Sequence, residues 1–277
     1  MPKSRSGSGK SKRKCDEESL WLALHRILYR SHNENTFPQS PCRSLMNLQY
    51  YSDYTSMSLN AAQTVYAAIQ ARPNLVLCAA TGNSPTGLYL QLQRYYAAKS
   101  EDFDQLRVLK LDEWGGLYAA HPATCEYYLQ HHLIQPLRIS EERYFGFDAN
   151  TQYPEKECSR MQQVLAENPI DLCVLGMGVN GHLGLNEPAE ELADHCHVAK
   201  LAPTTLNHTM VAALETKPVF GLTLGIQDIL AASHIILLIA GSGKEKATQQ
   251  LLAGKVTNEY PATYLCTHPK VDCLVLE

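Results

Sequence analysis

The sequence predicts an α/β fold, a mainly parallel Rossmann-like sheet with helices on both faces. Two observations carry that expectation. From about Asn47 onward, short apolar and β-branched runs alternate with longer amphipathic stretches, the pattern of a parallel sheet covered on both sides. Four of the strand-like runs also end in glycine-rich or polar segments, where open α/β sheets bind ligands. At 277 residues, 45% apolar and 19% charged, the chain has ample core for one such domain.

Taken in order, residues 59–69 read as a helix and 75–80 as a buried strand. Pro85 opens a helix to about Lys99, since proline suits a first helical turn. Residues 107–111 read as a strand, and 122–133 and 154–166 as helices. Strands follow at 172–175, 219–224 and 234–240, then a helix at 243–253 and a closing strand at 271–276. The longest apolar runs, such as residues 235–240, are far too short to span a bilayer.

Charge divides the chain at about residue 45. Residues 1–45 hold 9 of the 24 Lys and Arg but 4 of the 28 Asp and Glu, so they carry +5 and the remainder −9. Lys3 to Lys14 is Ser, Gly, Lys and Arg only, too hydrophilic to pack. The expectation is a disordered basic extension over 1–45 and a single α/β domain over 46–277. A nucleic-acid or localisation tail is the alternative for the basic run. Leu20, Trp21, Leu24, Ile27 and Leu28 fall at helical spacing, the alternative being a helix docked on the domain. The overall charge of −4 gives no global attraction to nucleic acid or acidic membranes. Nine scattered cysteines without a C-x-x-C pair suit a reducing, cytoplasmic compartment.

Residues 173–188, Cys-Val-Leu-Gly-Met-Gly-Val-Asn-Gly-His-Leu-Gly-Leu-Asn-Glu-Pro, are the most informative stretch. Glycines bring backbone close to a ligand, and His182 with Glu187 can move protons near neutral pH. Gly176, Gly178 and Gly181 outline a dinucleotide fingerprint, but that motif must open a helix. Here His182 and Pro188 follow, so no nucleotide cofactor is expected. Gly241-Ser-Gly-Lys244 falls short of a P-loop because Glu245 follows the lysine, yet a lysine at a helix start suits an anion. Thr81-Gly82-Asn83-Ser84 is a strand-to-helix turn in which Ser84 could cap the helix and hold phosphate. Asp112 and Glu113 end a buried strand, where an unpaired carboxylate is costly and is therefore neutralised or kept for chemistry. His131-His132 and His195-x-His197 form no H-E-x-x-H, so no metal site is expected.

These loops resemble those of the glucosamine/galactosamine-6-phosphate isomerase (deaminase) family, whose wider group contains the 6-phosphogluconolactonases. The resemblance covers about residues 47–277 through Ala80-Thr-Gly-Asn-Ser-Pro85, Leu111-Asp-Glu-Trp114, Gly178-Val-Asn-Gly-His-Leu-Gly-Leu-Asn-Glu-Pro188 and Gly241-Ser-Gly-Lys244. Met46 stands just before it, so translation from that methionine is a further expectation. The resemblance implies a reaction that opens an aldose 2-amino-6-phosphate, shifts a proton between C2 and C1 and releases ammonia. Asp112 then takes the carbon-bound proton, and His182 with Glu187 assists ring opening. Thr81, Gly82, Asn83, Ser84 and Lys244 hold the phosphate, with Gly178 in the substrate loop. No metal or organic cofactor is implied, and the partners are the small-molecule substrate and, in a homo-oligomer, further copies of the chain.

Two departures stand out. Asn180 occupies the position where glucosamine-type enzymes carry Asp, and an amide can orient an imidazole but not stabilise its cation by charge. The phosphate-binding Arg expected near residue 208 is absent, leaving His208 as its substitute. Both features, with Trp114, look more like the galactosamine-6-phosphate branch. A phosphosugar lactonase and a non-catalytic sugar-phosphate sensor are the competing classes. A lactonase is expected to read Gly-His-Thr-Ala-Ser where this chain has Gly-His-Leu-Gly-Leu.

Overall fold

The computed structural model describes residues 46–118, 120–201, 214 and 217–277. The expectations for residues 1–45 and for His208 lie outside them. Seven strands form a parallel sheet in the order β1-β10-β9-β6-β2-β3-β5. They are β1 (Met46–Tyr51), β2 (Val76–Ala79), β3 (Arg107–Lys110), β5 (Tyr144–Phe145), β6 (Leu172–Gly176), β9 (His234–Ile239) and β10 (Val271–Leu276). The residues of β2 and of β9 are all buried, as expected for parallel strands covered on both faces.

Alternate residues of each strand feed two separate cores. Leu77, Ala79, Val108, Val174, Ile236 and Leu238 pack with helices α1 (Tyr54–Ala71) and α2 (Asn83–Ala98) and with the segment around α3 (Cys125–Leu129). Cys78, Leu109, Cys173, Leu175, Ile235 and Leu237 pack on the other face. That face is covered by α4 (Pro154–Glu167), α5 (Ile226–Leu230), α6 (Glu245–Ala253) and the 3-10 turn Pro261–Thr267. Cys78, Cys125, Cys158, Cys173, Cys196 and Cys273 are free thiols. Among the described residues no helix is long and apolar enough to cross a membrane.

The sequence pattern gives no sign of a second sheet. Strand β4 (Asp112–Gly115) pairs antiparallel with β8 (Phe220–Thr223), which pairs antiparallel with β7 (His197–Ala199). Asp112-Glu113-Trp114, expected as a loop, is therefore strand, and the run at 219–224 belongs to this small sheet. The expected helix at 122–133 starts only at Cys125, after the Thr124 hydroxyl caps it by accepting from Tyr127 N. It then widens into a π-turn over Gln130–Ile134.

Candidate active site

The four expected loops leave strands that are consecutive in space, β9, β6, β2 and β3. From β2 the chain builds outward to β3, whereas from β6 it builds outward on the other side to β9. The order reverses between β2 and β6, which opens a crevice at their carboxyl ends.

Asp112 stands where the two sheets meet. Leu111 still belongs to both, donating its N–H to Ala79 O at 3.2 Å and accepting from Leu224 N at 3.1 Å. The next residue pairs with Thr223 in the small sheet. Asp112 is buried, and its Oδ1 has no hydrogen-bond partner among the described residues. Burial pushes its carboxyl up to about 7; the Glu113 charge adds to this, while His182 and Lys110 oppose it. Each direction follows from penalising or favouring the charged form.

Glu113, one residue on, has the opposite fate. Its Oε1 accepts from Trp114 N at 2.8 Å and Cys125 N at 2.9 Å, and its Oε2 from Glu126 N and Lys110 Nζ, both at 2.8 Å. Lys110 also donates to Glu126 Oε2 at 2.7 Å and Phe147 O at 3.0 Å. Burial pulls the Lys110 ammonium down, but Glu113 and Glu126 outweigh it and hold the charge. Of two adjacent carboxylates, one is neutralised by its partners and the other keeps an unbonded oxygen among the described residues.

His182 is carried by a pinned loop. Gly178 N–H donates to His182 O and Gly181 N–H to Gly178 O, both at 3.0 Å. Asn186 Nδ2 donates to Leu183 O and Leu224 O, both at 2.8 Å, and Leu185 N–H to Thr223 Oγ1 at 3.2 Å, tying the loop to β8. Glu187 Oε2 faces His182 Nδ1 at 3.5 Å. Asn180 Nδ2 donates to that same oxygen at 2.8 Å, and its Oδ1 accepts the backbone N–H of His182 at 3.2 Å. Asn180 thus fixes Glu187 and the loop backbone that carries the imidazole. Its short side chain folds back across its own turn, the usual habit of Asn in tight turns. Gly178, expected to line the substrate, lies against the imidazole, since a Cβ there would stand 2.2 Å from His182 Cε1.

The Thr81–Ser84 turn joins β2 to α2. Gly82 is the N-cap, with φ +100° and ψ −176°, a conformation open to glycine at little cost. Ser84, the expected cap, sits inside the first helical turn and is buried. Thr81 Oγ1 donates to Cys125 Sγ at 3.4 Å. Two tyrosines that the sequence did not flag bond to the carbonyls of this turn. Tyr128 OH donates to Gly82 O at 2.8 Å, and Tyr54 OH to Asn83 O at 2.5 Å and Ser84 O at 3.1 Å. They come from 46 and 29 residues away, so no local spacing could have found them.

Lys244 caps α6, its carbonyl accepting from Thr248 N at 2.8 Å and Thr248 Oγ1 at 2.9 Å. Burial pushes its ammonium down to about 8. A Cβ on Gly243 would stand 3.6 Å from Val179 Cγ1, so this loop lies beside the one carrying His182. A group of three or more His, Cys, Asp or Glu suited to a metal ion does not occur among the described residues. His195 instead pairs with Asp228 at 2.9 Å, and His131 stacks on Tyr127 with centroids 3.8 Å apart.

The chain is similar in sequence and fold to known proteins. The chain is 40% identical over 232 residues to "Putative deaminase AgaI" of Escherichia coli (strain K12), covering 83% of this chain and 92% of that protein. It is 33% identical over 226 residues to the glucosamine-6-phosphate deaminase of Thermoanaerobacter pseudethanolicus, covering 80% and 89%. Among solved structures, a monomeric glucosamine-6-phosphate deaminase superposes with a TM-score of 0.79 at 32% identity, covering 83% of this chain and 97% of that one. A 6-phosphogluconolactonase from Shewanella baltica OS155 superposes with a TM-score of 0.68 at 21% identity, over 84% and 98%, and shows the shared fold alone. Residues 54–274 match the family described as glucosamine-6-phosphate isomerases/6-phosphogluconolactonase, and the chain belongs to that family.

Proposed function

We propose that the protein is an amino-sugar-phosphate isomerase (deaminase), converting galactosamine-6-phosphate in preference to glucosamine-6-phosphate into the 2-ketose 6-phosphate and ammonia. The observation that carries this reading is Asp112, a buried carboxylate with an unbonded oxygen beside His182. A carboxyl poised near 7 is partly ionised at neutral pH, which suits a group that takes one proton and returns it.

In this scheme His182, backed by Glu187, moves the proton that opens the pyranose to its C1 aldehyde. Asp112 removes the proton on C2 and the resulting enolamine is protonated at C1. The C2 imine so formed adds water, and ammonia leaves from C2. Lys244 and the amides of the Gly82–Ser84 turn hold the phosphate. Preference for the galacto epimer is supported by Asn180 in place of an acid.

Ammonia release from each amino-sugar 6-phosphate by the purified chain tests the reading, with 6-phosphogluconolactone hydrolysis as comparison. Ammonia from both, at a higher kcat/KM with galactosamine-6-phosphate, is the expected result. Absence of ammonia with either substrate sinks the assignment, and a higher kcat/KM with the gluco epimer sinks the preference.

A further inference from the structure

We propose that Tyr54 and Tyr128 are positioning residues that aim the amides of the Gly82–Ser84 turn at the substrate phosphate. The inference rests on the phosphate-binding role given to that turn above.

A peptide unit is planar, and its C=O and N–H point in opposite directions. The carbonyl of Gly82 therefore fixes the N–H of Asn83, and the carbonyl of Asn83 fixes the N–H of Ser84. These N–H groups belong to the first turn of α2, where no intrahelical acceptor exists. Tyr128 OH holds the first carbonyl at 2.8 Å and Tyr54 OH the second at 2.5 Å. Thr86 Oγ1 closes a triangle with Gly82 O at 2.9 Å and Tyr128 OH at 2.7 Å. Ser84 O is also held by Tyr54, at 3.1 Å, but it shares its peptide with Pro85, which has no N–H. The two hydroxyls thus grip the two peptide units that carry the Asn83 and Ser84 amides.

The surrounding packing keeps both tyrosines in place. Tyr54 opens α1 next to its cap Asp53, which accepts from Ser56 N at 2.8 Å. Its hydroxyl also accepts from Gly87 N at 2.8 Å. Glycine is needed at that position, because a Cβ would stand 2.2 Å from Ser58 Oγ and 2.9 Å from Tyr54 Cε1. Tyr128 is braced by Tyr89 at one edge and by His132, whose ring centroid lies 4.4 Å away. Burial pushes the Tyr128 hydroxyl well up from its ordinary value, so it remains a donor across the working pH range. A general structural role would explain these tyrosines as packing. It would not explain why their hydroxyls converge on consecutive carbonyls of one turn.

The test replaces Tyr54 and Tyr128 by Phe, singly and together, and follows ammonia release with inorganic phosphate as competitor. Each lost hydroxyl should raise both KM and the phosphate inhibition constant about three- to tenfold, the range of a single neutral hydrogen bond. The value of kcat should change by less than about twofold, because the reacting carbons are at the other end of the substrate. Wild-type constants in the double variant overturn the proposal, as does a fall in kcat with KM and the inhibition constant unchanged. Thr86→Val, which removes only the bonds on the Gly82 side, gives the same two outcomes should a tyrosine variant fail to fold. If the wild-type protein releases no ammonia, the deaminase reading fails on its own. Calorimetric binding of inorganic phosphate to wild type and variants then still decides the positioning role.

Discussion

Gly178 and His182 are packed so closely that a β-carbon on the first would stand 2.2 Å from Cε1 of the second and 2.4 Å from both ring nitrogens. The glycine is the surface on which the imidazole rests. Gly178→Ala should therefore displace the ring and lower kcat by about 100-fold or more, the usual cost of a misplacement near 1 Å. Thermal melting within a few degrees of wild type would show that the loop still folds. An active Gly178→Ala enzyme would remove His182 from the proton-transfer role.

Asp112→Asn should reduce turnover by about 10²–10⁴, the contribution of a positioned base. It should also change stability with a definite pH dependence. The folded-state value near 7 lies above the ordinary 3.8. Between these values the folded state binds more protons than the unfolded state, so wild-type stability falls as pH rises. The asparagine cannot ionise, so the variant's advantage should be small at pH 4, grow toward pH 7 and level off. At about 1.4 kcal/mol per unit the ceiling is on the order of 4 kcal/mol. Urea titrations at pH 4 and pH 8 measure it, and an equal difference at both would refute the buried charge.

The pH dependence of kcat/KM should be bell-shaped, rising as Asp112 ionises near 7 and falling as Lys244 loses its proton near 8. Lys244→Ala should erase the alkaline limb and weaken binding about 10- to 150-fold, as for a charge-assisted hydrogen bond. The non-phosphorylated amino sugar should not distinguish this variant from wild type. If it does, to the same degree, Lys244 is not a phosphate ligand.

Lys110→Met should cost about 3–5 kcal/mol, because it leaves Glu113 and Glu126 buried without their cation. Lys110→Met combined with Glu113→Gln should recover part of that loss, since one uncompensated charge is then removed. Chemical denaturation of the single and double variants provides the measurement. A silent single variant would mean that solvent reaches the pair.

Much of this protein follows from local pattern. Continuous apolar runs such as 235–239 cannot be half-exposed strands, and proline and polar breaks between them leave room for little but crossover helices. That pattern determined the parallel sheet. It also placed Asp112, His182, Glu187 and Lys244 at strand ends, on the side where such sheets bind ligands. The divergent fates of Asp112 and Glu113 could not be read there. Two adjacent carboxylates look alike in sequence, and only the arrival of Lys110, Cys125 N–H and Glu126 N–H at one of them distinguishes the pair. The small antiparallel sheet was hidden for a related reason. Strand β8 is legible at 219–224, but its partners β4 and β7 are four and three residues long, too short for alternation to register, and the β4–β8 pairing joins Asp112 to Thr223, far away in the chain. Asn180 shows the same division, because its residue type was visible but its partner depended on how the loop closes. Local sequence sets which backbone states are cheap, whereas hydrogen-bond partners distant in the chain are chosen only when the packed core brings them together.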